Sequence, residues 1–205
     1  MVSSVLYIGT DILLSMSWQG YSYPNQAVSE LSAIGAPTRP FWLAMSFLFN
    51  PLVIAFGIGV WRAAGQKRAL RITGILLMVW GVLGLVWLPF PMSPRGAERS
   101  FTDTMHIVMT GVTVPLMMVF IGFGAAARGK WFRLYSILTI LAMLGFGALT
   151  GMLAPGIDTG QTPWMGLIER VCVYAPMLWV LVLAIVLLRA RGIVNTELKP
   201  KSIAE

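Results

Sequence analysis

The chain has 205 residues, of which 57% are apolar and only 11% are charged, and its mean hydropathy is +0.78. A soluble domain needs roughly a quarter of its residues charged, so this composition excludes an ordinary soluble protein. The net charge of +7 does not indicate a nucleic-acid partner, because most basic residues fall in short loops between apolar segments, where they meet anionic lipid.

Six apolar segments follow one another along the chain, each close to the roughly 20 residues that a helix needs to cross a bilayer. They are approximately Val2–Trp18, Phe41–Trp61, Ile72–Phe90, Met105–Ala127, Phe132–Ala154 and Leu167–Leu188. The pattern predicts an all-α membrane protein, a six-transmembrane-helix bundle in one domain from residue 1 to 192, with a tail at 193–205. The first segment lacks the basic start and the cleavage site of a signal peptide, and we interpret it as a retained helix.

The basic residues predict the orientation of the bundle. Eleven of the 15 follow the second, fourth and sixth spans, whereas Arg39, Arg95, Arg99 and Arg170 fall on the other side. Since Lys and Arg are retained on the cytoplasmic side, we predict a plasma-membrane protein with both termini in the cytoplasm. The three longer and more polar connecting segments are then outside.

The first outer segment is predicted to contain a short interfacial helix. The sequence from Ser29 to Pro37 is bounded by Pro24 before it and by Pro37 at its end. Gly35 is a typical helix stop. Ser29 and Ser32 share a face of such a helix.

Ionisable side chains gather toward the outer face. The acidic residues there are Glu30, Glu98, Asp103, Asp158 and Glu169. Asp11 lies inside the first span, where a carboxylate is costly and normally faces the bundle or a water-filled cavity, and we expect it to be protonated, hydrogen-bonded to a neighbour or paired with Arg170. Arg170 itself is expected to pair with a carboxylate or to bind an anionic headgroup. One network is expected to hold Glu30, Asp103, His106 and Arg170.

Asp103 and His106, the sole histidine, are three residues apart at the start of the fourth span and therefore share a face. In one interpretation the carboxylate orients the imidazole for catalysis. In the other, Asp103 complements the positive end of the helix dipole, with Ser100 or Thr102 as the cap. The candidate nucleophiles for a hydrolytic triad with this pair are Ser29 and Ser32.

Prolines lie inside the second, fourth and sixth spans, at Pro51, Pro115 and Pro176. A proline inside a helix removes a hydrogen bond and kinks the helix. These kinks either improve packing or open a polar cavity toward the outer face, and the sequence leaves both interpretations open.

Several segments together resemble a family of bacterial and archaeal membrane proteins catalogued as domain of unknown function 998. The matching segments are Tyr7–Asp11, Gly20–Pro24, Ser29–Ala33, Phe90-Pro91, Asp103–His106 and Gly166–Arg170. The resemblance covers about residues 5 to 190 and implies a six-helix bundle without a known activity. Members of the family typically begin further upstream, which implies a longer first helix.

The residue inventory excludes several functions. A retinal Schiff base needs a lysine inside a helix, a bis-histidine haem needs two histidines, and a zinc site of several histidines cannot be built from one. No phosphate-binding glycine loop is present, and the single cysteine, Cys172, is expected to be packed and unreactive. We expect no cofactor and no nucleic-acid partner.

Three functions stay open. The first is binding or transport of a small or lipid-like ligand in an outer-facing polar cavity. The second is a membrane-embedded hydrolase that uses His106 and Asp103 with a serine, or with a metal ion held by carboxylates such as Glu30 and Glu169. The third is a structural or accessory subunit. The candidate ligand-binding residues are Asp11, Glu30, Arg39, Asp103, His106, Glu169 and Arg170.

Overall fold

The computed structural model describes residues 2–126 and 129–197, with side chains described as far as Ala190. Within this part the chain is entirely helical. Its elements are α1 (Val2–Ser17), a 3-10 helix (Val28–Ser32), α2 (Arg39–Ala63), α3 (Arg68–Trp87), α4 (Phe101–Ala126), α5 (Lys130–Leu153), α6 (Gly156–Thr159) and α7 (Met165–Glu197). The all-α class predicted from the sequence is therefore confirmed.

The long helices differ from the predicted spans mainly at their ends. α2, α3 and α5 begin at Arg39, Arg68 and Lys130, before the apolar runs, because long basic side chains can extend from a helix end toward water. α3 ends at Trp87 instead of Phe90, since the proline at position 89 has no backbone N–H to continue the helical hydrogen bonds. α7 continues to Glu197, and the rest of the predicted tail lies outside the described residues.

Five of the described helices are long and apolar enough to cross a membrane, namely α2, α3, α4, α5 and Met165–Ala190 of α7. Their mean hydropathy is between 1.9 and 2.7, yet only 17–39% of each apolar window is buried inside the protein. Such a surface is stable only against hydrocarbon. α1 is shorter, with 16 residues, although its Asp11 and Ser15 are buried.

The helices form a ring. Each of α1 to α4 packs against the next helix in the chain, α5 packs against α7, and α7 returns to α1. The closest approach is between α2 and α3, where a methyl group added at Gly74 would lie 2.6 Å from the backbone nitrogen of Trp61. Small residues at such positions let two helix backbones meet.

Large side chains fill the centre of the ring on the side away from the polar segments. A chain of aromatic contacts runs from Phe49 through Trp80 and Phe120 to Trp179 and then Phe132, with ring centres 5.4–6.0 Å apart. Aromatic pairs at this spacing stabilise a core beyond their buried area. This packing fixes the helices around the site described below.

Three connecting segments meet at one end of the ring, which we call the polar end: residues 18–38, 88–100 and 154–164. Backbone and side-chain hydrogen bonds join them, among them Ile34 N to Met92 O at 2.8 Å and Arg95 to Thr162 at 2.7 Å. The polar end is therefore a single assembled cap over the helices.

Candidate functional site

A cavity of about 230 Å³ lies under the polar end, between α2, α3, α4 and α7 and beside Tyr7 of α1. Polar and charged side chains line it near the cap, and apolar ones line it deeper. The former include Ser29, Ser32, Arg39, His106 and Glu169. The latter include Phe49, Trp80, Val114, Met117 and Met177. The lining is therefore charged and polar near the cap and mainly apolar farther in, where it also includes Asn50 and Thr113.

Each of the three intrahelical prolines is adjacent in sequence to a residue that lines this cavity. Pro51 follows the lining residue Asn50, Pro115 follows Val114, and Pro176 precedes Met177. A proline inside a helix removes a helical hydrogen bond. The three prolines are next to lining residues but do not line the cavity themselves, so the packing and the cavity interpretations both stay open.

Two charged groups at the cavity have no oppositely charged partner within 4 Å among the described residues. Arg39 makes one hydrogen bond, from Nη1 to the carbonyl oxygen of Ser32 at 2.6 Å. Glu169 accepts one hydrogen bond, at Oε2 from the backbone nitrogen of Val28 at 2.6 Å. Both charged groups are thus held against the 3-10 helix, and no other described side chain or backbone group uses their remaining hydrogen-bonding capacity.

Deeper in the cavity, Thr113 carries a buried hydroxyl that has no hydrogen-bond partner in the part of the chain that the structure describes. Buried polar groups are nearly always hydrogen-bonded, because leaving one unsatisfied costs about 1–3 kcal/mol. Across the cavity, the Asn50 side chain donates to Ser46 O at 2.9 Å. An occupant with a hydrogen-bonding group at this depth would satisfy Thr113.

Next to the cavity, Asp11 and Arg170 form a fully buried ion pair, with side chains 0% and 3% exposed. The guanidinium meets the carboxylate through two hydrogen bonds, Nε to Oδ2 at 2.8 Å and Nη2 to Oδ1 at 2.9 Å. Tyr174 donates a further hydrogen bond to Oδ2, and Ser15 donates one to Oδ1. The pair therefore joins α1 to α7.

Two tyrosines of the first connecting segment enclose the guanidinium. The ring of Tyr23 lies 3.7 Å from the Arg170 Cζ atom, a cation–π contact, and the hydroxyl of Tyr21 accepts from Nη2 at 2.9 Å. Burial raises the pKa of Tyr21 above its ordinary value, so this hydroxyl stays protonated and donates to the carbonyl oxygen of Ala27 at 2.8 Å. No donor of Arg170 is then left for a ligand, because Nη1 bonds three backbone carbonyls.

A second ion pair holds the cap together. Arg95 contacts the buried carboxylate of Glu30 through Nε at 3.0 Å and Nη2 at 2.6 Å, and its Nη1 donates to Thr162. Glu30 also accepts from Gln26 and from the backbone nitrogen of Ala27. Arg95 thus bridges the three connecting segments, a role that nothing in its local sequence indicates.

Asp103 takes part in capping the N-terminus of α4. Its carboxylate accepts from the backbone nitrogens of Ser93 and Ser100, both at 2.7 Å, and from both serine hydroxyls. The Ser100 hydroxyl accepts in return from the nitrogen of Asp103 at 3.3 Å. This reciprocal arrangement is a capping box, so the geometry agrees with the capping interpretation of Asp103.

His106 is held by α3 and not by Asp103. The imidazole Nδ1 lies 3.0 Å from Trp87 Nε1 and also 3.0 Å from the carbonyl oxygen of Phe90. It accepts from the indole in one tautomer and donates to the carbonyl in the other, so Nδ1 is occupied by these two groups in either case. The hydroxyl of Ser29 donates to the Met92 sulfur, and that of Ser32 donates to the carbonyl of Ser29, so neither serine is hydrogen-bonded to the histidine.

The residues selected from the sequence therefore separate into distinct sets. Arg39, His106 and Glu169 line the cavity, as do Ser29 and Ser32. The expected single network of Glu30, Asp103, His106 and Arg170 is not formed, because each of the four takes different partners. No three metal-ligating side chains converge within the described residues.

Comparison with known protein families identifies the family to which the chain belongs. A family model described as "Protein of unknown function (DUF998)" matches residues 1–186. The chain belongs to the DUF998 family. No curated protein and no solved structure matches it.

The DUF998 segments quoted above coincide with the contacts at the polar end. Tyr7–Asp11 and Gly166–Arg170 supply the ion pair between α1 and α7, and Gly20–Pro24 supplies the tyrosines around it. Ser29–Ala33 lies in or beside the 3-10 helix, and Asp103–His106 contains the cap and the imidazole. The segments on which the resemblance was based therefore lie together in the cap and at the ends of the helices beneath it.

Proposed function

We propose that this DUF998 protein is a multi-pass protein of the plasma membrane that binds a small amphiphilic or lipid-like molecule in the cavity under the polar end. The observation that carries the proposal is the cavity itself, with a charged rim and an aromatic and aliphatic interior. Pockets for small molecules combine apolar walls with a few placed polar groups in this way. The volume, about 230 Å³, suits a headgroup and the first part of a chain.

The proposal includes six spans, with α1 as the sixth, and both termini in the cytoplasm. The ion pair to Arg170 supports α1 as a span, because it buries Asp11 completely inside the bundle. The basic residues of the loops between α2 and α3 and between α4 and α5 support the orientation. The 3-10 helix of the cap then lies at the outer membrane surface.

The orientation predicts the behaviour of reporter fusions. Green fluorescent protein fused after Glu205 is expected to fluoresce, and alkaline phosphatase at the same position is expected to be inactive, because the first folds in the cytoplasm and the second outside it. The matched control is insertion of each reporter after Gly96, in the cap, where the opposite pair of results is expected. An active phosphatase at the C-terminus would contradict the orientation.

Filling the cavity is expected to abolish ligand binding. Ser46 lines the cavity from α2, so Ser46→Phe places a ring in the space that a ligand needs. We expect this variant to bind dihexanoyl phosphatidylethanolamine and dihexanoyl phosphatidylglycerol at least tenfold more weakly than the wild type, measured by isothermal titration calorimetry in detergent.

Leu48→Phe is the matched control, because it adds to the same helix a ring whose position is 53% exposed on the outside of the bundle. It is expected to leave the affinity unchanged. Equal binding by the Ser46→Phe variant, with its folding verified by thermal unfolding, would show that the lipids bind only to the outer surface and would overturn the proposal.

The two other functions receive less support from the geometry. A hydrolase would need a base and a nucleophile in contact, and the side chains of His106, Ser29 and Ser32 are each hydrogen-bonded to other groups. A purely structural role accounts for the two ion pairs that join the helices and the cap. It does not account for Glu169 and Arg39, whose charges line a cavity without a charged partner among the described residues.

A further inference from the structure

We infer that the ligand is a zwitterionic amphiphile, whose headgroup carries an anionic phosphate and an ammonium group. The inference rests on the proposed function and names the class of molecule that the cavity would take. Its basis is the pair of opposite charges at the rim, Arg39 and Glu169, which face the same cavity but do not contact each other.

Each of the two charged groups has hydrogen-bonding atoms that no described residue uses and that a ligand could contact. One Arg39 nitrogen is used by the carbonyl of Ser32, and the remaining donors of the guanidinium form a fork that matches two oxygens of a phosphate. One Glu169 oxygen is used by the backbone nitrogen of Val28. Its second oxygen has no hydrogen-bond partner among the described residues, and a carboxylate oxygen accepts readily from an ammonium group.

The anchoring of the two charges favours a headgroup whose own charges are separated. Glu169 bonds the first residue of the 3-10 helix Val28–Ser32, and Arg39 bonds the last. Five residues of 3-10 helix extend about 10 Å, so the two groups are anchored at opposite ends of this short helix. A phosphate joined to an aminoalkyl group carries its anionic and cationic ends several bonds apart, which suits two groups anchored in this way.

The interior of the cavity indicates that the ligand also has an apolar part. Below the rim the walls are formed by rings and aliphatic side chains such as Trp80, Met117 and Val173. These groups suit an acyl chain and do not suit a fully water-soluble headgroup. A bilayer phospholipid with an ethanolamine-type headgroup has both halves, whereas free phosphoethanolamine has only one.

The test compares headgroups on the same short chains. We expect the wild-type protein, purified in detergent, to bind dihexanoyl phosphatidylethanolamine at least tenfold more tightly than dihexanoyl phosphatidylglycerol, which lacks the ammonium. Glu169→Gln should remove this preference by weakening only the first lipid, since the amide can still accept from Val28 but has lost its charge. Arg39→Gln should weaken both lipids about tenfold, and Arg39→Lys should restore part of the loss.

Asp158→Asn and Arg99→Gln are the matched controls, because each removes the same charge from the same end of the protein at an exposed ion pair, and both should bind as the wild type does. Tight binding of free phosphoethanolamine would support the charge pair but overturn the acyl-chain half of the inference. Binding that is lost in Ser46→Phe but shows no headgroup preference would overturn the inference of a zwitterionic ligand. It would leave the proposed function standing. Binding unaffected by Ser46→Phe would overturn both.

Discussion

Replacement of Arg170 by Gln is expected to destabilise the protein by about 3–5 kcal/mol, because it leaves the carboxylate of Asp11 buried without its cation. The side chains of this pair are 3% and 0% exposed, so water cannot take over the lost contacts. In thermal unfolding in detergent this loss corresponds to a fall in Tm of roughly 10 °C.

The matched control is Arg99→Gln, which breaks an arginine–aspartate pair of 3.0 Å whose side chains are 57% and 48% exposed. Its expected cost is below about 1 kcal/mol, because solvent screens exposed pairs. The double variant Asp11→Asn, Arg170→Gln is expected to be less destabilised than the two single effects added together, since neither partner is then left charged and alone. Equal Tm values for Arg170→Gln and Arg99→Gln would contradict the buried clamp between α1 and α7.

Gly74→Ala is expected to disrupt the close contact between α2 and α3. The added methyl group would lie 2.6 Å from the backbone nitrogen of Trp61 and 2.8 Å from the carbonyl oxygen of Gly57. Both atoms belong to the α2 backbone, which cannot move aside as a flexible side chain would. We expect α2 and α3 to be forced apart at a cost of about 1–3 kcal/mol or more, measured as a lower Tm in detergent.

Gly59→Ala is the control for this effect, because a methyl group at Gly59 meets nothing within 4 Å. It is expected to leave Tm unchanged or raise it slightly, since alanine favours helical backbone by up to about 1 kcal/mol over glycine. If both alanine variants unfolded at the same temperature, the close approach of α2 and α3 would not hold in the folded protein.

Much of the fold follows from run length and hydropathy, since five apolar segments of about 20 residues correspond to the five long helices. The helix ends were less accurate because side chains such as Arg39 and Lys130 extend a helix beyond its apolar run. The pairing of Arg95 with Glu30 was missed. It joins residues 65 positions apart, and no local pattern records which segments meet at the polar end.

The sequence places the polar residues toward one end of the bundle but does not predict their contacts. The spacing of Asp103 and His106 indicated a shared helix face, yet the carboxylate is used by the serines at positions 93 and 100 and the imidazole by Trp87. The carboxylate accepts from two backbone amides that the start of α4 must satisfy. Spacing alone does not predict which of several nearby donors a carboxylate selects.

Helix α7 has different neighbours on two adjacent rows of side chains. Glu169, Val173 and Met177 follow one another at intervals of four along the cavity wall, whereas Arg170 and Tyr174 on the next row hold Asp11 of α1. Turning α7 to follow a ligand would pull the arginine away from its buried carboxylate. Under the proposed function, we therefore expect any widening of the cavity to come from the opposite helices or from the cap and not from α7.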